Sequence, residues 1–74
     1  METTQTEVIQ IVVNGEDRSV PCGLTVQHLL AVLELDVERV AVEMNRAILR
    51  RPVWCSTPVT GGAAFEIVQF VGGG

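Results

Sequence analysis

A run of β-branched residues that ends in an Asn-Gly pair constrains the fold of this chain most strongly. The run is Val8–Val13, and Asn14-Gly15 follows it directly. Asn-Gly supplies the two positive φ angles that a two-residue hairpin turn requires. The chain must therefore return antiparallel to its first strand. We expect the second strand to run through residues 18–20, before Pro21 breaks the sheet.

A single amphipathic helix is predicted after this hairpin. Thr25 is placed to cap it by accepting a hydrogen bond from the backbone N–H of His28. The four apolar residues that follow lie at i, i+3, i+4 and i+7, which puts them on one face: Val26, Leu29, Leu30 and Leu33. That face is expected to pack on the sheet.

The second half of the chain is predicted to form two further strands, joined by an irregular segment that crosses between them. Residues 39–44 alternate in hydrophobicity as a strand does. Pro52 and Pro58 prevent a long regular element after them, so we expect a short strand or a helical turn there, with Trp54 anchored in the core. The last strand is predicted at residues 65–71.

One helix can cover only one face of a sheet, so this order of elements predicts an α+β roll. We place four residues under the helix, namely Ile11, Val13, Phe65 and Ile67. Three more fall on the open face, namely Val12, Val68 and Phe70. The open face is either an apolar interaction patch or is covered by the segment around Trp54, and the lack of a second helix favours the patch.

Composition limits the class of protein. With 74 residues and 47% hydrophobic residues, the chain is expected to form one globular domain at residues 8–71, with a frayed lead at 1–7 and a flexible tail at 72–74. No apolar run approaches the roughly 18 residues that a membrane helix needs. The polar, acid-bearing start lacks the pattern of a secretory signal, so we expect a cytoplasmic protein with no membrane partner.

The charge balance and the scattered reactive residues argue against several functions. The net charge is -4, with nine acids, five arginines and no lysine, which disfavours nucleic acid and favours a basic protein partner. Without lysine the chain cannot bind ATP through a P-loop. Cys22, His28 and Cys55 lack the paired spacing of a zinc site, and both cysteines are expected to be thiols.

The three terminal glycines are the best candidate for a reactive centre. A free Gly74 carboxylate is ionised at neutral pH and can attack the α-phosphate of ATP when a partner presents it. Gly72 and Gly73 have no Cβ to obstruct entry into a partner's cleft, and three extended residues reach about 10 Å. The alternative is a frayed end without function.

Taken in order, these segments are similar to the ubiquitin-like β-grasp sulfur carriers, and in particular to the ThiS family of thiamine biosynthesis. The likeness covers residues 8–74. It rests on the following matches: Val13-Asn14-Gly15, Thr25-Val26 with Leu29-Leu30, Val40-Ala41-Val42-Glu43 with Asn45, the stretch from Arg51 to Trp54, and the ending from Glu66 to Gly74. The chain departs from the family at Gly61-Gly62, where Gly-Asp is usual before the last strand.

This resemblance implies a mixed four- or five-stranded β-grasp sheet with one main helix on one face. It also implies that a ubiquitin-activating-type enzyme, using ATP and magnesium, adenylates Gly74. A sulfur donor such as a cysteine desulfurase then converts the adenylate to a thiocarboxylate, which thiazole synthase receives. The chain itself would bind no cofactor, would not be an enzyme, and would dock through Val12, Val68, Phe70 and Val71.

The sequence is also compatible with other functions. The small subunit of molybdopterin synthase shares the expected fold and tail but delivers sulfur to a pterin. A carrier for cysteine synthesis and a protein modifier are also compatible with the ending. From a different class comes a passive β-grasp interaction module whose glycines have no chemistry.

Overall fold

The computed structural model describes residues 7–71 of the 74. The predicted tail at 72–74 and all but the last residue of the predicted lead at 1–7 lie outside the described residues. Glu7 itself is tied to the domain, because its carbonyl accepts a hydrogen bond from the Cys22 N–H at 2.8 Å. The elements in chain order are β1 (Val8–Val13), β2 (Glu16–Pro21), α1 (Val26–Val32), a 3₁₀ helix (Val37–Arg39), β3 (Val40–Met44), β4 (Ala47–Leu49), a second 3₁₀ helix (Arg51–Ser56) and β5 (Ala64–Gln69).

The strands form one mixed sheet in the order β2-β1-β5-β3-β4. β1 and β5 pair in parallel, and the other three pairs are antiparallel. The first and last strands therefore lie side by side in the interior of the sheet, where strands tend to carry apolar residues on both faces. With α1 as the only α-helix in the described part, the α+β prediction is confirmed.

Two tight hairpins set the register of this sheet. Asn14 and Gly15 have φ angles of 51° and 82° and join Val13 to Glu16, as the sequence predicted. Asn45 and Arg46 have φ angles of 52° and 72° and join β3 to β4 in the same way. Positive φ is favourable at asparagine but costs about 1–2 kcal/mol at arginine.

The helix begins as the sequence predicted. The Thr25 hydroxyl accepts a hydrogen bond from the His28 N–H at 3.3 Å, and the His28 ring nitrogen accepts from the Thr25 N–H at 3.5 Å. These reciprocal bonds form a capping box, in which histidine replaces the usual Glu or Gln. The helix ends at Val32, and Glu34 follows in the left-handed region with φ 62°.

The core lies between α1 and one face of the sheet. Every residue that the sequence placed under the helix is at least 93% buried. Trp54 is 2% exposed, and its indole N–H donates to the Leu49 carbonyl at 2.9 Å, so it closes one end of the core. The buried set is Ile11, Val13, Val20, Val26, Leu29, Leu30, Val40, Val42, Trp54, Val59, Ala63, Phe65 and Ile67.

Three predicted boundaries were inexact. The crossing segment contains both a short strand and a helical turn, rather than one of them. β5 ends at Gln69, not at residue 71, because β3 begins at Val40 opposite Gln69, and the chain before Val40 is a 3₁₀ helix that supplies one further backbone hydrogen bond, from the Phe70 N–H to the Arg39 carbonyl. Pro21 does not break the sheet but is the last residue of β2, where an edge position tolerates its missing N–H.

Candidate functional site

β5 is the strand that precedes the terminal glycines. The side chain of Asn14 forms hydrogen bonds to the backbone in the middle of this strand. The Asn14 amide accepts from the Ile67 N–H at 2.7 Å and donates to the Ile67 carbonyl at 3.0 Å. Asn14 lies just past the end of β1, so its side chain continues the pairing of β1 with β5 for one further residue. This pair of bonds holds β5 in register two residues before its end.

Two further contacts fix the ends of β5. At its start, the Asn45 amide oxygen accepts from the Ala64 N–H at 2.9 Å, and the Asn45 N–H donates to the Ala64 carbonyl at 2.7 Å. Past its end, the Phe70 N–H donates to the Arg39 carbonyl at 2.7 Å. The backbone is therefore held up to residue 70, one residue short of the end of the described chain.

The side chains that lead into the tail are exposed. Val68 is 58% exposed, Phe70 56% and Val71 84%. Val68 projects from the sheet face opposite α1, because its neighbour Ile67 is buried on the helix side. The crossing segment around Trp54 therefore does not cover this surface, and the open face is apolar next to the tail as the sequence suggested.

A shallow groove of about 250 Å³ lies on the open face beside Val68. Its other walls come from β3, β4 and β5, namely Ala41, Val42, Glu43, Ile48 and Glu66. Ile48 is 78% exposed, which is unusual for a large aliphatic side chain in a strand. We call this surface, with Val68 as its tail-side wall, the open-face groove.

Two carboxylates line the open-face groove. Glu43 on β3 lies directly opposite Glu66 on β5, and Ile48 on β4 lies opposite Glu43 on its other side. Side chains opposed in this way have Cβ atoms about 4.5–5.5 Å apart. The groove is thus lined by apolar and by acidic side chains.

Val12 shares the open face but lies apart from the groove. It is half-buried and pairs with Ala64, four residues before Val68, or about 13 Å along the strand. The neighbouring part of this face is polar, since Gln10 donates to the Ser19 hydroxyl at 2.6 Å. The apolar surface contiguous with the tail therefore comes from the half of the sheet formed by β3, β4 and β5.

The other candidate groups are separate from this surface. Cys22 and Cys55 are free, exposed thiols. His28 is engaged in the capping box of α1. Residues 7–71 bring together no group of three or more His, Cys, Asp or Glu that could hold a metal ion. No helix in this part of the chain has the length and hydrophobicity that crossing a membrane requires.

Sequence reasoning located the exposed residues before the tail but missed the acidic pair. Alternation around Val40 and Val42 already turns Glu43 outward, yet nothing local states that Glu66 lies opposite it. The predicted reactive residues Gly72, Gly73 and Gly74 lie outside the described residues. The structure brings the strand that precedes them to the edge of the open-face groove.

Comparison with protein families gives one match over nearly the whole chain. A model of the ThiS family matches residues 6–74. The crystal structure of the thiamine biosynthesis protein ThiS from Geobacter metallireducens aligns with a TM-score of 0.76 and 36% sequence identity. That alignment covers 89% of this chain and all of the Geobacter chain.

Comparison with curated sequences gives relatives of two sizes. A thiazole synthase from Paramagnetospirillum magneticum is 39% identical over 66 residues, which are 89% of this chain and 20% of that protein. The chain thus spans about one fifth of the length of the thiazole synthases that it matches. An uncharacterized protein, ycf40 of Porphyra purpurea, is 36% identical over 66 residues that make up 93% of its length.

Proposed function

The chain belongs to the ThiS family, and we propose that it serves thiamine biosynthesis by carrying sulfur as a thiocarboxylate on Gly74. The observation that carries this proposal is the extent of the family match, which runs through residues 6–74 and so includes the terminal glycines. The five-stranded β-grasp architecture and the similarity to the Geobacter ThiS structure support it. The chain acts as a recycled co-substrate of other enzymes and supplies no catalytic residue.

The chemistry proceeds in two steps at the terminal carbonyl. In the first, a carboxylate oxygen of Gly74 attacks the α-phosphate of ATP held with magnesium by a ubiquitin-activating-type enzyme, and pyrophosphate leaves. In the second, the outer sulfur of a persulfide on a donor such as a cysteine desulfurase attacks the acyl carbon and AMP leaves, and a thiol reductant then cleaves the S–S bond of the resulting acyl disulfide. The product is a thiocarboxylate, whose sulfur is a better nucleophile than the oxygen it replaces.

The folded domain is the part of the chain that the partner enzymes bind during these reactions. Among residues 7–71, Phe70 is the last whose backbone hydrogen-bonds to the sheet. The segment that enters a partner is therefore proposed to be Val71 with the three glycines. From Val71, three residues span at most about 10 Å. A partner must therefore sit on the domain surface next to Val68, Phe70 and Val71, which the exposure of these side chains permits. Val12, farther along the open face, extends that docking surface.

Thiazole synthase is the proposed acceptor of the sulfur. Proteins named thiazole synthase include a segment similar to 89% of this chain within one longer polypeptide. Joining two functional partners in one chain raises their effective concentration at each other's site. The same two activities are expected to meet here, with the thiocarboxylate delivered into the thiazole ring.

The test is reconstitution with and without the terminal glycines. A variant lacking Gly73 and Gly74 should keep its circular dichroism spectrum and melting temperature, because Val71, just before the tail, is 84% exposed and adds little to the core. It should fail to support thiazole formation with purified thiazole synthase, an activating enzyme, ATP and a sulfur donor. A variant that replaces the exposed Val32 of α1, which lies away from the open face, by serine controls for general damage to the fold.

Complementation then identifies the pathway. The gene is expected to rescue a thiazole auxotroph that lacks its own carrier, and not a mutant that lacks the small subunit of molybdopterin synthase. Rescue of the molybdenum-cofactor mutant alone would assign the carrier to pterin chemistry. Full activity of the shortened variant would remove the tail from the mechanism and leave the passive interaction module.

A further inference from the structure

The backbone hydrogen bond at Phe70 depends on the first 3₁₀ helix, Val37–Arg39. Beyond the end of β5, Arg39 and Phe70 stand in the register of an antiparallel strand pair, which can exchange two hydrogen bonds. The Phe70 N–H does donate to the Arg39 carbonyl, at 2.7 Å, but the Arg39 N–H donates to the Asp36 carbonyl at 2.9 Å. The 3₁₀ helix thus turns the Arg39 N–H away from the sheet, and a single backbone bond joins Phe70 to it.

Side-chain contacts hold this 3₁₀ helix from two sides. At its start, the Asp36 carboxylate accepts from the Glu38 N–H at 2.9 Å and lies 3.5 Å from the Arg39 guanidinium. From the second 3₁₀ helix, the Arg51 guanidinium lies 3.4 Å from the Glu38 carboxylate. The same guanidinium is 5.7 Å from the centroid of the Trp54 ring, within the range of a cation–π contact. Because Trp54 is buried, Arg51 connects the first 3₁₀ helix to a fixed part of the core.

We propose that Arg51 is a positioning residue for the adenylation of Gly74, and that it acts through the first 3₁₀ helix on the point where the tail leaves the domain. This inference rests on the proposed function. Arg51 contacts Glu38, and the next residue, Arg39, supplies the carbonyl that holds Phe70. Gly74 lies four residues beyond Phe70, a distance of at most about 14 Å, so the place and direction of departure determine which part of a cleft the carboxylate reaches.

Stabilising the fold is the other role that these contacts could have. The side chains of Arg51 and Glu38 are 52% and 75% exposed, and an ion pair this exposed adds little to the stability of a domain. Its loss should therefore leave the domain folded while it frees the first 3₁₀ helix to move. A positioning role predicts a loss of reaction rate in a folded carrier, whereas a purely structural role predicts no such loss.

The experiment compares Arg51→Gln with Arg18→Gln, which has the same net charge. Arg18 is exposed on β2, at the opposite edge of the sheet from β4. Each carrier is supplied to the purified adenylating enzyme, and the KM and kcat of carrier-dependent ATP–pyrophosphate exchange are measured. Hydrogen exchange at the Phe70 N–H and the circular dichroism melting curve are measured on each carrier alone.

Arg51→Gln should lower kcat about threefold or more, because a misplaced carboxylate attacks the α-phosphate less often. The KM for the carrier should stay within about twofold of the wild type, since docking is not impaired. Exchange at the Phe70 N–H should become faster by about threefold or more. Arg51→Lys, which keeps a cation over the Trp54 ring, should recover most of the lost kcat. Arg18→Gln should match the wild type in all these measurements.

Glu38→Gln changes the other end of the same contact. It should lower kcat as Arg51→Gln does, and the double variant should be no slower than either single variant. Equal kcat for Arg51→Gln and Arg18→Gln would overturn the inference, as would a raised KM with kcat unchanged. If Arg51→Gln does not fold, Glu38→Gln decides by the same criteria. Failure of the wild type itself to be adenylated would instead reject the proposed function.

Discussion

Replacing Asn14 tests whether its side chain holds the strand that leads to the tail. The structure gives the Asn14 amide two hydrogen bonds to the backbone of Ile67, at 2.7 and 3.0 Å, and a φ of 51°. Each neutral hydrogen bond contributes about 0.5–1.5 kcal/mol net, so losing both costs about 1–3 kcal/mol. Forcing alanine into the left-handed region adds about 1–2 kcal/mol, a cost that glycine avoids.

Two variants separate these contributions. Asn14→Gly should lower the free energy of unfolding by about 1–3 kcal/mol, and Asn14→Ala by about 1–2 kcal/mol more. In a domain of this size each kcal/mol corresponds to about 4–8 °C in melting temperature. Urea unfolding followed by circular dichroism measures the energies, and hydrogen exchange at the Ile67 N–H reports the local bond directly.

The control is Gln10→Ala, which removes another side-chain amide but only from a hydrogen bond between two exposed side chains, with Ser19. That change should stay within about 0.5 kcal/mol of the wild type. A stability of Asn14→Gly within about 0.5 kcal/mol of the wild type would contradict a stabilising role for the Asn14 side chain, as would unchanged exchange at the Ile67 N–H in either Asn14 variant.

Three further substitutions test the local physics of the fold. Arg46→Gly should raise the free energy of unfolding by up to about 1 kcal/mol in urea titrations, because glycine relieves the φ of 72°; a loss of stability would contradict this. Thr25→Ala should cost about 1 kcal/mol and fray α1 by hydrogen exchange, because it removes the cap on the His28 N–H; unchanged protection of the first turn would count against the capping box. Trp54→Phe should cost about 1–3 kcal/mol in thermal unfolding, since it leaves the buried end of the core without the bond to the Leu49 carbonyl; a neutral result would show that bond to be dispensable.

The parts of this fold that sequence predicts well are those that depend on neighbours in the chain. The hairpin at Asn14-Gly15 and the Thr25 cap each involve residues within three positions of one another, and both are present as expected. The alternation of Phe65 and Ile67 likewise placed both under the helix. Local turn chemistry and periodicity were sufficient there.

The parts that sequence did not predict depend on register between distant strands. Asn14 reaches Ile67, which is 53 residues away, and Glu66 meets Glu43 only because β5 inserts beside β3. The early end of β5 has the same origin, since a strand stops where its partner stops. Neither secondary-structure propensity nor the hydrophobic pattern predicts which residues of distant strands lie opposite each other. That pairing follows only once the order of the strands in the sheet is known.

Intact mass spectrometry tests most directly our proposal that Gly74 carries sulfur as a thiocarboxylate. The chain is incubated with the adenylating enzyme, ATP, magnesium and a sulfur donor. Its intact mass is then measured, and it is fragmented in the mass spectrometer. We expect a gain of about 16 Da, from one oxygen replaced by sulfur, located on the C-terminal fragment that contains Gly74. An unchanged mass, or a gain located at Cys22 or Cys55, would contradict it.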